Sequence, residues 1–296
     1  MNLLIFGLGY TASHFAARYG ERFAKITGTF RSTAPHEKLP DLPGVTRLSY
    51  DGLAGSPAVE AAIAEATHIL TSIAPDDDGD PVLRHFGSAL RQAPKLQWIG
   101  YLSTVGVYGD AGGAWIDETA PTIPPHTRGA ARVDAELAWQ ALGRQRRIPV
   151  AILRLGGIYG PGQNAFVRLV AGRAHRIDKP GHVSNRIHVA DIAQAIDAAF
   201  SRRFDGIVNV TDCEPAPPGD QIEFAAKLLG VAPPPLLSLD EAKRTLSPFL
   251  MSFYDGCARV RNDKLKNVLG VKLRYPDYRA GLQALRDDGF AAPPEI

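Results

Sequence analysis

Residues 3–15 read LLIFGLGYTASHF, and this short stretch decides the fold. The four apolar residues 3–6 form a run of the length expected for a buried β-strand. A glycine-rich turn follows, and we predict a helix from there to about Tyr19. The order strand, glycine-rich turn and helix predicts that the chain begins with the first unit of a βαβ arrangement.

The rest of the N-terminal half repeats this alternation. Alanine-rich helical stretches, at 59–66 and 81–93, lie between apolar runs that we interpret as strands. Those runs are KITGTF (25–30), VTRLSY (45–50), HILTSI (68–73), LQWIGYLS (96–103), VAILRL (150–155) and IVNVT (207–211). Such alternation predicts an α/β protein with a Rossmann-type, doubly wound parallel sheet that is covered on both faces. In the helix after Arg128, spacing predicts a common face for Val133, Leu137 and Ala141.

The C-terminal part changes character, with proline-rich segments at 215–220, 231–237 and 275–278. We therefore predict a nucleotide-binding domain over residues 1–165 and a smaller substrate lobe over most of 166–296. The strand near 207–211 is expected to return to the first sheet.

Composition excludes several classes of function. The 296-residue chain has a formal net charge of +2, too small to indicate nucleic acid or an anionic membrane as a partner. Two cysteines, Cys213 and Cys257, provide neither a disulfide framework nor metal-ligand spacing. No basic segment precedes the first apolar run, and no apolar run is long enough to span a bilayer. We therefore expect a cytoplasmic protein that binds no metal.

The glycine turn fits the G-x-G-x-x-G/A pattern, with Gly7, Gly9 and Ala12 in the three positions. Gly7 permits the tight turn, Gly9 lets the backbone approach a pyrophosphate, and Ala12 allows close helix–strand packing. The helix N-terminus then attracts the phosphates. We predict a dinucleotide here, bound also by the intervening Tyr10 and Thr11.

The end of the second strand distinguishes between the two nicotinamide dinucleotides. NAD commonly meets an acidic residue there, whereas this chain has Arg31 followed by Ser32. A guanidinium group suits the 2′-phosphate of NADP, so we expect NADP rather than NAD. A solvated surface arginine is the alternative. Asp51 and Leu53, after the third strand, border the adenine in one interpretation, and Asp51 is a plain turn residue in the other.

The chain resembles the extended or atypical short-chain dehydrogenases/reductases, often described as NAD(P)-dependent epimerases/dehydratases. The similar stretches occur in the order of that family and span the chain: GLGYTA (7–12), LSTVGVYGD (102–110), LRLGGIYGPGQN (153–164), RIHVADIAQAI (186–196), NVTDCEPAP (209–217) and RNDKLKNVLGVKLRYPDYRAGL (261–282). The resemblance implies a Rossmann lobe for the cofactor and a C-terminal lobe over the nicotinamide. It also implies that the helix at 130–143 forms the face of a possible homodimer.

The resemblance fails at the family's proton relay. Thr104 matches the Ser or Thr that precedes V-Y-G, but the Tyr-x-x-x-Lys motif is missing. Counting back from Glu136 places Arg128 at the tyrosine and Arg132 at the lysine. Because arginine does not deprotonate in proteins, Arg128 cannot be the family's acid or base.

The two arginines leave several interpretations open. Arg132 replaces the lysine as a fixed charge at the nicotinamide ribose, or pairs with Glu136 one turn later. Both arginines face the cleft and bind an anionic substrate group, or they form a solvated basic face. Other candidates for the proton transfer are His126, since histidine titrates near neutrality, and Tyr108. Tyr108 and Tyr159 are expected to pack or line the cleft, whereas His188 and Asp191 are expected to be structural.

Two classes of function remain. The first is an NADP-dependent oxidoreductase or epimerase that acts on a small carbonyl or sugar-like substrate with an altered proton donor. The second is a cofactor-binding redox sensor or regulator that has lost its chemistry.

Overall fold

A computed structural model describes residues 1–31 and 42–289. Its strands, in chain order, are β1 (Asn2–Phe6), β2 (Lys25–Phe30), β3 (Val45–Ser49), β4 (His68–Thr71), β5 (Trp98–Thr104), β6 (Trp115–Ile116), β7 (Val150–Leu155), β8 (Gly157–Tyr159), β9 (Arg176–Asp178), β10 (Arg186–His188), β11 (Gly206–Val210), β12 (Leu236–Ser238) and β13 (Arg259–Val260). Its α-helices are α1 (Tyr10–Tyr19), α2 (Pro57–Glu65), α3 (Pro81–Gln92), α4 (Thr127–Arg146), α5 (Ala165–Val170), α6 (Val189–Ser201), α7 (Pro218–Leu229), α8 (Leu239–Thr245), α9 (Pro248–Met251), α10 (Asp263–Asn267) and α11 (Tyr278–Asp287).

The centre of the molecule is a seven-stranded sheet in the order β3-β2-β1-β4-β5-β7-β11. All of its strand pairs are parallel. Helices α2, α3 and α4 bury their apolar residues against one face, and α1 and α6 cover the other. The predicted Rossmann-type, doubly wound α/β fold is therefore confirmed. The chain reverses its direction of winding between β1 and β4, and sheets of this kind bind ligands at that point.

The face that Val133, Leu137 and Ala141 were predicted to share is not the face that α4 buries. Leu137 is 56% exposed and Ala141 is exposed, whereas Ala135, Trp139 and Leu142 are buried. Trp139 decides this orientation because its large ring fills the core and its Nε1 donates to Asp80 Oδ2 over 2.9 Å. Helical spacing alone could not distinguish the predicted apolar face from the face of Ala135, Trp139 and Leu142 that is buried.

The C-terminal part builds its own small core from residues of α5, α7 and α11. It does not separate cleanly at residue 165, because later segments return to the first lobe. β11 pairs with β7 at the edge of the main sheet, and α6 packs against α1. The short pairs β8–β10 and β6–β13 each join a strand before residue 165 to a strand after it, and so connect the two parts.

In the part of the chain that the structure describes, no helix has both the length and the apolar character needed to cross a membrane.

Candidate cofactor and substrate site

The turn after β1 needs a glycine at its first position. Gly7 has a φ of +85°, and a Cβ atom there would lie 2.8 Å from Ser72 Oγ. Two hydrogen bonds fix the turn to neighbouring strands: Gly7 N donates to Thr29 Oγ1 over 3.0 Å, and Ser72 Oγ donates to Gly7 O over 2.6 Å. The turn is thereby held at the carboxyl ends of β1, β2 and β4.

Gly9 is different, because a Cβ atom built on it would meet no other atom within 4 Å. It occupies the N-cap position of α1, where no side chain caps the helix and no acidic residue lies in the first turn. Free space beside uncapped backbone amides is the environment that a pyrophosphate requires. Behind this surface Ala12 is fully buried and packs in the core below the sheet. The glycine turn therefore fits a dinucleotide sterically and electrostatically.

Tyr10 connects this turn to the loop that follows β8. Its hydroxyl donates to Pro161 O over 3.0 Å, and its ring centroid lies 4.5 Å from that of His14. Burial raises the pKa of Tyr10 above its usual value. A Cβ on Gly160 would approach Tyr10 Oη to 2.6 Å, so the loop can pass this close only with glycine there. Thr11 is buried beside Ala12.

Arg31 and Asp51, two of the residues predicted to surround the adenosine, follow the carboxyl ends of the neighbouring strands β2 and β3. Arg31 directly follows β2 and is exposed, which leaves its guanidinium group accessible to a ligand. Ser32 lies outside the described residues. Asp51 Oδ1 accepts a hydrogen bond from Leu53 N over 2.9 Å, and Leu53 is 81% exposed. Asp51 thus forms the turn that the sequence allowed, and contact of either residue with adenine stays a prediction.

Thr104 and Tyr108 stand at the two ends of the short 3₁₀ turn that follows β5. Thr104 Oγ1 accepts from Gly106 N over 3.1 Å and so caps this turn. The hydroxyl of Tyr108 is buried and donates to Asn209 Oδ1 over 2.7 Å. Burial also raises the pKa of Tyr108. This hydrogen bond to Asn209 agrees with a packing role for Tyr108, and its catalytic role stays a prediction.

Glu136 does not pair with Arg132, and that expectation is wrong. Its carboxylate is buried and lies 2.7 Å from the Nη2 atom of Arg154, while Ser103 Oγ donates to the other carboxylate oxygen. Arg154 in turn lies over the ring of Tyr108, 4.7 Å from the centroid. This network ties the middle of α4 to β5 and β7, and it fixes the helix beside the carboxyl ends of the sheet.

Arg132 points toward β5. Its Nη1 atom donates to Leu102 O over 3.2 Å and lies 3.4 Å from Tyr101 Oη. Its side chain is partly buried, and the nearby cation lowers the pKa of Tyr101, although burial raises that pKa more. Arg132 is thus a fixed cation near the end of β5, as a replacement for the family's lysine would be.

Arg128 and His126 point in another direction, toward the segment 247–255. His126 Nε2 lies 2.9 Å from Asp255 Oδ2, and Arg128 Nη2 donates to Ser252 Oγ over 3.3 Å. Arg128 also lies over the ring of Phe249, with its Cζ atom 4.9 Å from the centroid. The two arginines therefore do not share partners, although they are one helical turn apart. Their catalytic roles, and that of His126, stay predictions.

Sequence reasoning missed the segment 247–255 as part of this site. Its signal was the apolar run PFLMSFY at 248–254, which contains three aromatic residues in a region otherwise interpreted as connecting helices. Only the tertiary contacts with α4 give this run a position.

His188 and Asp191 have structural roles. His188 Nδ1 accepts from Ala190 N over 3.1 Å at the start of α6. Asp191 accepts from the backbone amides of Arg274 and Tyr275 over 2.7 and 3.0 Å. The carboxylate therefore holds the chain before α11 against α6. Across residues 1–31 and 42–289, no cluster of three His, Cys, Asp or Glu side chains could hold a metal ion.

The chain is similar to a known protein family and to one characterised reductase. Residues 86–211 match the model of the NAD dependent epimerase/dehydratase family. A Streptomyces protein, described as 3-diazoavenalumate denitrifying reductase, is 31% identical over 175 residues, which are 56% of this chain. The match covers 58% of the length of that reductase.

Two solved structures resemble nearly the whole chain. A functionally unknown conserved protein from Silicibacter pomeroyi is 44% identical, with a TM-score of 0.86 over 97% of this chain and 99% of the other. A putative NAD-dependent epimerase/dehydratase from Methylobacillus flagellatus is 26% identical, with a TM-score of 0.73 over 97% and 98% of the two chains.

Proposed function

We propose that this chain is an NADP-dependent oxidoreductase of the NAD-dependent epimerase/dehydratase family, because residues 86–211 match the model of that family and the Methylobacillus protein resembles nearly the whole chain. Its substrate is a small molecule with a carbonyl or a comparable reducible group, or a sugar-like molecule. The Streptomyces relative is described as a reductase, which supports reduction more than epimerisation.

The observation that carries the proposal is the free space beside Gly9. A glycine with nothing within 4 Å of its absent side chain has no packing reason to be glycine. A bound pyrophosphate supplies that reason, because it needs the backbone amides at the start of α1 without a side chain between them.

The preference for NADP rests on Arg31. An exposed arginine follows β2 where NAD-binding proteins commonly place an acid. The family description and that of the Methylobacillus protein name NAD, which favours the other cofactor. We give more weight to Arg31, because its charge acts on the only group by which the two cofactors differ.

A bound nicotinamide would donate or accept a hydride at the carbon that reacts. The residues of this chain orient the reactants and provide charge: Arg132 is fixed against Leu102 O and Tyr101, near the end of β5. Thr104 lies at the end of the same strand. The proton comes from an altered donor, for which we propose Thr104, because the ring of His126 is engaged by Asp255.

The alternative is a cofactor-binding redox sensor or regulator. The replacement of the tyrosine and lysine by Arg128 and Arg132 favours it, since arginine holds its proton. Oxidation of bound NADPH, followed at 340 nm with aldehydes, ketones, diazo compounds and nucleotide sugars, discriminates between the two. Turnover with any of them excludes the sensor.

Cofactor placement is tested by Gly9→Val. We expect this variant to bind NADPH at least about 100-fold more weakly, a loss of roughly 2.7 kcal/mol, because the valine occupies the space of the pyrophosphate. Calorimetric titration measures the affinity, and thermal unfolding checks that the variant is folded. Gly55→Val is the matched control, since a Cβ there also meets nothing within 4 Å. Normal binding by folded Gly9→Val protein would refute the site.

Cofactor choice is tested by Arg31→Ala. We expect wild-type protein to bind NADPH at least about tenfold more tightly than NADH, which corresponds to ~1.4 kcal/mol. A charge-assisted hydrogen bond is sufficient for this difference. The variant should bind both cofactors equally, whereas Arg144→Ala, at an exposed position near the end of α4, should keep the preference. Equal affinities in the wild type would contradict the assignment.

A further inference from the structure

The segment 247–255, here called the strap, consists of α9, the 3₁₀ turn at 252–254 and their flanking residues. It lies across the N-terminus of α4. Three of its side chains contact that helix end, through the Asp255–His126 pair, the Ser252–Arg128 hydrogen bond and the Phe249–Arg128 ring contact. The strap therefore contacts Arg128, the residue expected in place of the family's tyrosine.

Both lobes hold the strap in this position. On the side of the main sheet, Cys257 N donates to Asp110 Oδ1 over 3.2 Å, and Ala111 N donates to Cys257 O over 2.9 Å. On the side of the C-terminal lobe, the ring of Tyr254 stacks on that of His182 at 5.0 Å, and Lys179 Nζ donates to Tyr254 O. These contacts fix the strap between the turn after β5 and the loop after β9.

Three large apolar side chains of the strap are exposed. Phe249 is 55% exposed and Phe253 is 63% exposed, and Leu250 between them is also exposed. The two phenyl rings meet edge to face, with centroids 5.3 Å apart. Neighbouring exposed aromatic groups of this kind mark a binding surface more often than a solitary exposed leucine does.

The charge beside these rings is positive and unpaired. In the described residues, no carboxylate lies within ion-pair distance of Arg128. An arginine that lies over an aromatic ring can still donate two hydrogen bonds to a carboxylate in the bidentate geometry. Ser252 Oγ accepts from Nη2, and the guanidinium group has further donors.

We infer that the strap and Arg128 form a specificity site for a substrate that carries both an aromatic ring and a carboxylate. The ring packs against Phe249 and Phe253, and the carboxylate binds Arg128. Charge complementarity favours an occupant with a carboxylate over a neutral aromatic one, because a neutral occupant would cover Arg128 without a counter-ion. The inference rests on the proposed function, since it places this substrate in the cleft beside the cofactor.

In this arrangement Arg128 is a binding residue and His126 is a positioning residue. His126 holds the strap against α4 through Asp255 and does not itself touch the bound acid. His126→Ala should therefore weaken the binding of an aromatic acid and of its amide equally, whereas loss of Arg128 should affect only the acid.

The test uses trans-cinnamate, cinnamamide and hexanoate as probes, titrated calorimetrically into the full-length protein at saturating NADPH. Cinnamate carries ring and charge, cinnamamide keeps the ring without the charge, and hexanoate keeps the charge without the ring. We expect cinnamate to bind at least about tenfold more tightly than either of the others. Arg128→Gln should abolish the preference for cinnamate over cinnamamide, and Phe253→Ala should weaken cinnamate about fivefold.

Leu236→Ala, which removes an exposed apolar side chain from β12, is the matched control and should change nothing. NADPH affinity, measured on each variant, checks that the fold and the cofactor site are intact. Equal binding of the three probes, binding of none of them, or an unchanged preference in Arg128→Gln overturns the inference. Failure to bind NADPH in the wild type refutes the proposed function instead, so the two failures are distinguishable.

Discussion

At the scale of single residues, Asp212, two residues after the end of β11, is a buried acid. Its side chain is buried, Oδ1 accepts from Glu214 N over 3.1 Å, and Oδ2 has no partner among the described residues. Burial raises the pKa of this carboxyl to about 8, although Arg186 nearby lowers it. The native protein therefore prefers the protonated acid, whereas the unfolded chain ionises at the ordinary pKa near 3.8.

Stability should therefore fall as the pH rises toward 8. Between the unfolded and folded pKa values, the native state holds one proton more than the unfolded state, which costs at most about 1.4 kcal/mol of unfolding free energy per pH unit. Asp212→Asn keeps the Oδ1 acceptor and removes the titration. We expect the free energy of unfolding of this variant, measured with urea, to rise relative to that of the wild type between pH 6 and pH 8.

The exposed Asp178→Asn provides the control for the loss of one negative charge. Parallel pH profiles for wild type and Asp212→Asn would show that Asp212 does not hold a proton in the native state.

At the scale of secondary-structure elements, α4 connects the stability of the sheet to the candidate site. Its N-terminal end carries His126, Arg128 and Arg132, and its middle is fixed by the buried pair Glu136–Arg154. Because the partners of Glu136 lie on β5 and β7, this one carboxylate sets how α4 lies on the sheet. A helix set in this way keeps the arginines at the carboxyl ends of the strands.

Glu136→Gln should destabilise the protein by about 3 kcal/mol, because it leaves the charge of Arg154 buried without its counter-ion. The loss should appear as a lower midpoint of urea unfolding with an unchanged slope. Asp134→Asn, at an exposed position on the same helix, should change stability by less than about 0.5 kcal/mol. A small effect of Glu136→Gln would mean that water or a rearranged neighbour compensates Arg154.

At the scale of the whole molecule, the outer face of α4 carries an exposed leucine. Leu137 is exposed at the centre of this 20-residue helix, although the helix buries its other large apolar residues. An exposed leucine alone is ordinary, but the family resemblance implies that this helix forms a dimer face. We therefore retain the homodimer as a proposal.

Leu137→Glu should convert the protein to a monomer, because a symmetric contact would place two carboxylates face to face in an apolar interface. Sedimentation velocity at several protein concentrations measures the mass of wild type and variant. Leu236→Glu, which adds the same charge at another exposed leucine, should leave the dimer intact. A monomeric wild type would remove the need for the proposal.

The fold and the cofactor turn could be predicted from sequence because their signals are local. Inner strands of the main sheet such as β1 and β7 are mostly apolar runs, and the turn at residues 7–12 carries its glycines within six positions. The absence of a Tyr-x-x-x-Lys motif is likewise a fact of sequence, whereas the placement of Arg128 and Arg132 at its positions stays a prediction from the resemblance. Arg31, on which the proposed choice of NADP depends, is also a fact of sequence.

Tertiary structure alone decided which way the side chains of α4 point and what they contact. Periodicity predicted the face of Val133, Leu137 and Ala141, but the packing of Trp139 turned another face inward. Glu136 pairs with Arg154 rather than with Arg132, because the strands beneath α4 bring that cation within 2.7 Å. His126 meets Asp255 across 129 residues of sequence. Such contacts depend on how distant segments are brought together, and no spacing along the chain encodes them locally.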